Sequence, residues 1–93
     1  MKQIKKGFIL RQVCGENVIV GEGLDAINFG KLLSLNETAA WLWQQAAEMG
    51  IFNVEALTDK LCEEYEVERQ QATNDVCAIL DKWQKVGVIE DAA

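Results

Sequence analysis

The chain has 93 residues, 49% of them hydrophobic and 26% charged, which suits one globular domain over 1–93 with a single core and is too little for two. Three cysteines without Cys-x-x-Cys spacing and no histidine argue against a disulfide framework, a structural zinc site and histidine-based catalysis. The net charge of −6 repels duplex nucleic acid unless the basic residues are gathered in one place, and no apolar run approaches the ~20 residues that span a bilayer.

The start, Met1 to Gly7, leads into an apolar stretch far too short for a signal peptide, so a cytoplasmic protein with no membrane partner is expected. Lys2, Lys5 and Lys6 form the only dense basic group and read as a solvated N-terminal tail. Phe8 to Val13 is rich in β-formers and is followed by Cys14, Gly15-Glu16 and the apolar run Val18 to Val20. Glycine at the first central position suits a type II′ turn over Gly15-Glu16, so two antiparallel strands are expected. Gly21 to Asp25 reads as a loop, Ala26 to Phe29 leads into a second Gly-X pair, Gly30-Lys31, and Leu32 to Leu35 reads as a third strand.

From Asn36 the apolar period lengthens. Ala39, Leu42, Trp43 and Ala46 fall at helical spacing, Asn36 is suited to cap the first turn, and Gly50 to end the helix. Asn53 announces a second helix, with Phe52 before it able to staple onto Leu57 and an apolar stripe of Val54, Leu57, Leu61 and Tyr65. A third helix starts near Glu68 or Arg69, carries Ala72, Val76, Ile79, Leu80, Trp83 and Val86 on one face, and stops at Gly87; Val88 and Ile89 fold back onto the core. The expected fold is α+β and winged-helix-like: a three-stranded antiparallel sheet followed by three helices, β-β-β-α-α-α.

No catalytic template fits. Gly21-Glu22-Gly23 lacks the third glycine and the Lys-Ser/Thr of a phosphate loop, and Glu63, Glu64, Glu66 and Glu68 lack the pattern of a calcium loop, so they read as a solvated helix end. The chain is therefore expected to be no enzyme, and neither a metal nor a cofactor is called for. A winged-helix DNA-binding protein is the alternative reading of three helices with a small sheet. Against it stand Glu68, Asp75 and Asp81 on the last helix, facing only Arg69, Lys82 and Lys85, and the want of sequence after Gly87 for a wing. The third strand is a candidate sheet edge, with unpaired N–H and C=O groups to which an extended peptide can add, or through which two copies can form a homodimer.

Gly15-Glu16-Asn17-Val18-Ile19-Val20, then Phe29 to Ala40 with Leu35-Asn36-Glu37-Thr38-Ala39 as its most specific part, Leu42-Trp43, Leu57 to Leu61, Tyr65, Asp75-Val76, Ile79-Leu80 and the closing Gly87-Val88-Ile89 together resemble the PqqD family, from about Lys6 to Glu90. That family takes its name from pyrroloquinoline quinone biosynthesis protein D and includes recognition elements for ribosomally made, post-translationally modified peptides. The resemblance implies a domain without catalysis of its own. It binds the leader segment of a precursor as an added strand beside the third strand and the third helix, and presents it to a modifying enzyme such as a radical SAM protein. Carried onto this sequence, the leader-facing groups are the backbone of Leu32, Leu33 and Ser34, the side chain of Leu33, and Asp75, Ile79 and Lys82 of the last helix. Trp41 lies off the apolar stripe of its helix and is a candidate contact for a partner protein, whereas Trp83 is on its stripe and reads as core.

Overall fold

A computed structural model describes residues 1–21 and 33–92. The described elements are β1 (Lys2–Ile4), β2 (Phe8–Val13), β3 (Glu16–Gly21), β4 (Leu33–Leu35), α1 (Glu37–Met49), β5 (Ile51–Phe52), α2 (Val54–Glu64), α3 (Arg69–Val86) and β6 (Ile89–Asp91). The fold is α+β, with three helices and two antiparallel sheets of three strands each, ordered β2-β3-β4 and β5-β1-β6.

The first sheet is the expected meander, with β4 at one edge and β2 at the other. Its hairpin turn differs from expectation. Val13 pairs with Glu16, so the two-residue loop is Cys14-Gly15, and both residues have positive φ, 52° and 80°. That is a type I′ turn shifted one residue back from the expected II′ turn over Gly15-Glu16. Gly15 takes the second central position, and Cys14 carries the strain of a left-handed conformation. The loop of 21–25 beyond Gly21, the turn at Gly30-Lys31 and the start of the third strand at Leu32 lie outside the described residues.

The second sheet replaces the expected solvated tail. β1 is its central strand, with Lys2 opposite both Phe52 and Asp91, and Ile4 opposite Ile89. The Lys2 ammonium contacts Asp91 and donates to Gln84 at 2.9 Å, and the Gln3 amide donates to Glu90 at 2.9 Å. Lys5 donates its N–H to the Val88 carbonyl at 3.0 Å, and its ammonium lies over Gly87, at the carbonyl end of α3 where positive charge is favoured.

The helices follow the sequence closely. Asn36 accepts from the Ala39 N–H at 2.8 Å and Asn53 from the Ala56 N–H at 2.7 Å, each satisfying an orphan donor of the first turn. Gly50 closes α1 at φ 76°, and Gly87 closes α3 at φ 84°, with Val88 donating to the Trp83 carbonyl at 3.1 Å as in a Schellman motif.

One apolar cluster joins both sheets to the helices. Phe8, Ile19, Leu33 and Leu35 come from the meander, Phe52 and Ile89 from the second sheet, and Leu42, Trp43, Leu57, Leu61, Val76 and Trp83 from the helices. Trp43 and Trp83 meet edge to face at 5.1 Å. Two residues assigned to apolar stripes leave them. Tyr65 falls just past the end of α2 and Val86 sits in the last turn of α3, and both are exposed.

Candidate functional site

Alternation along the meander decides which backbone groups its edges offer. The tight turn makes Val13 and Glu16 a hydrogen-bonded pair, and in an antiparallel ladder such pairs alternate with non-bonded ones. Arg11–Val18 and Ile9–Val20 are therefore bonded pairs between β2 and β3. Asn17 and Ile19 consequently turn their N–H and C=O toward β4, where they meet Leu35 and Leu33. Ser34, opposite Val18, is left with both backbone groups pointing out of the sheet. The side chains alternate in the other sense: Leu33 and Leu35 are buried and Ser34 is exposed.

From Asn36, two residues past Ser34 in the chain, a groove of about 340 Å³ runs between the start of α1 and the middle of α3, lined by Asn36, Thr38, Asp75, Ala78 and Ile79. Asn36 is held there by its cap and Asp75 by the Gln71 amide, which donates to its carboxylate at 2.9 Å from one turn earlier. Asp75 is the one charged lining residue among those described, Ile79 is half-buried, and Ala78 is exposed. Nothing in this set offers a nucleophile with a base, and among the described residues no three Cys, Asp or Glu side chains are placed to hold a metal. The arrangement can hold an extended chain, giving it backbone partners at Ser34 and a shallow pocket beside Ile79.

The residues named from the sequence fall in different places. Leu32 lies outside the described residues. Ser34 is at the edge, and Asp75 and Ile79 line the groove. Lys82 is exposed one turn beyond Ile79 and does not line it. The Leu33 side chain is turned into the core and is only 8% exposed, because it alternates with the outward Ser34. Trp41 is half-buried against the core cluster and meets Tyr65 edge to face at 5.5 Å, near the end of α2. Asn36, Thr38 and Ala78 were not singled out for binding. Ala78 was nonetheless within reach of the helical period, since Asp75, Ala78, Ile79 and Lys82 fall at i, i+3, i+4 and i+7 on one stripe of α3.

The groups with displaced titration do not line the groove. The Asp59 carboxylate, 2.7 Å from Arg69, raises the guanidinium pKa, and the Lys2 ammonium lowers that of Asp91. No helix among the described residues is long and apolar enough to cross a membrane.

Three comparisons bear on this geometry. The model of a family described as coenzyme PQQ synthesis protein D (PqqD) matches residues 16–89. No curated protein matches the sequence. Among solved structures, the chain is similar to "TbiB1 in Complex with the TbiA(beta) Leader Peptide", with a TM-score of 0.76, 21% identity and coverage of 98% of each chain. It is also similar to "Lasso peptide synthetase B1 complexed with the leader peptide", with a TM-score of 0.75, 22% identity and coverage of 97% of this chain and 98% of the other. At these identities the likeness is one of fold.

Proposed function

Because the chain belongs to the PqqD family, we propose that it binds the leader segment of a ribosomally made precursor peptide and presents it to a modifying enzyme. The leader adds as a strand beside β4, exchanging hydrogen bonds with Ser34 and laying side chains into the groove beside Asp75 and Ile79. The observation that carries this reading is the outward-facing backbone of Ser34 next to that groove. Complexes with leader peptides in the two similar folds support it. In this reading the backbone of Leu32 and the ammonium of Lys82 are further partners of the leader. The chain itself is non-catalytic in this account, and the chemistry belongs to the partner, for instance a radical SAM protein. Trp41, half-buried beside the exposed Tyr65, is a contact surface for that partner. A second copy pairing through the same edge of β4 would compete with the leader for it.

Fluorescence anisotropy with a labelled leader from the precursor encoded beside this protein tests the reading. Saturable binding at tens of micromolar or tighter is expected, about −6 kcal/mol or more favourable. No binding to any such leader would overturn it.

A further inference from the structure

A groove of about 580 Å³ lies on the opposite side of the meander from the Ser34 edge. It lies between the outer edge of β2, the β1–β2 turn and the last turns of α1. Its floor is apolar, formed in part by Ile4, Leu10, Trp43 and the exposed Ala47. The same ladder alternation that frees Ser34 also frees this edge: Ile9 and Arg11 turn their backbone groups to β3, so Leu10 and Gln12 turn theirs outward. Among the described residues, the charged ones lining the groove are Lys5 and Lys6, with no carboxylate, in a chain that carries fifteen acidic residues against nine basic ones. Lys5 is half-buried over the end of α3, and Lys6 is exposed at the groove mouth.

We propose that this groove docks an extended acidic segment of a second protein, which adds as a strand to the outer edge of β2 and sets its carboxylates against Lys6 and Lys5. Charge complementarity selects the occupant: a segment alternating carboxylate and apolar side chains puts its apolar face on the Leu10–Trp43 floor and its charges at the rim. With this site on one edge of the meander and Ser34 on the other, the domain holds two chains at once without competition. The proposal does not depend on what binds at Ser34.

The test uses two seven-residue capped peptides, one alternating Glu with Val and one alternating Lys with Val, titrated into the isotope-labelled full chain and followed by amide shifts. The acidic peptide is expected to move Lys6, Leu10, Gln12 and Gln44, and Lys6→Glu to weaken it by roughly threefold or more. Ala47→Arg separates docking from mere attraction. Filling the groove with a cation is expected to weaken the acidic peptide by about tenfold, whereas a purely electrostatic association would tighten. Absence of binding up to about 1 mM, equal shifts from the Lys peptide, tightening by Ala47→Arg, or shifts confined to Ser34 and Ile79 would each overturn the proposal.

Discussion

Ser34 lies directly opposite Val18 in the ladder between β4 and β3, and since Val18 faces β2, the N–H and C=O of Ser34 face open edge. Proline is tolerated where the N–H it removes points away from the sheet and is costly where it does not. Ser34→Pro is therefore expected to leave thermal stability within about 1 kcal/mol of the parent, while Leu33→Pro and Leu35→Pro each lose a ladder bond and cost about 3 kcal/mol or more. Denaturant unfolding of the three variants checks this, and equal losses would place the alternation one residue out.

The burial of Leu33 changes what a substitution there reports. Leu33→Arg puts a charge into the core and is expected to unfold the chain, so it tests the fold and leaves binding unaddressed. Ala78→Trp is the cleaner probe of the groove, because the alanine is exposed on α3 and a large side chain fills the space beside Ile79. Leader affinity is expected to fall by about tenfold with an unchanged melting temperature.

Thr58 is 1% exposed on α2, and its hydroxyl has no hydrogen-bond partner among the described residues. Replacing it by valine removes a desolvated polar group and keeps the branched shape. Thr58→Val is expected to stabilise the chain by about 1 kcal/mol, read as a higher denaturant midpoint at constant m-value.

Asp91 faces the Lys2 ammonium across the second sheet, and that contact holds its pKa below the ordinary carboxylate range. A carboxylate whose pKa is lower in the folded chain contributes stability above its unfolded value, about 3.9, and loses it as pH falls through the lower folded value. Lys2→Met is expected to return the Asp91 carboxyl to the ordinary range in a carbon-detected titration and to flatten this part of the acid limb of stability. An unmoved Asp91 would mean that the pair does not form in solution.

The helices were legible because their signals are local. Asn36 and Asn53 cap, Gly50 and Gly87 terminate, and the stripe from Ala72 to Trp83 repeats every three or four residues. The second sheet was not legible, since it joins strands of two or three residues from positions 2, 51 and 89, with no turn chemistry linking them. Three lysines near the terminus suggested solvent, yet Lys2 is held by Asp91 and Gln84, partners more than eighty positions away. Half of the candidate site could be read in the same way. Period-two alternation gives Leu33 and Leu35 one face and Ser34 the other, but the outward backbone of Ser34 follows from the turn at Cys14-Gly15, one residue before the Gly-X pair that the sequence offers.

The central claim is that a leader peptide pairs with the backbone at Ser34, and amide hydrogen exchange reads that pairing at the atom concerned. In the free chain the Ser34 N–H, pointing out of the sheet, is expected to exchange readily, and saturation with leader is expected to slow it by about tenfold or more. An unchanged Ser34 amide, with protection gained elsewhere on the surface, would contradict the account.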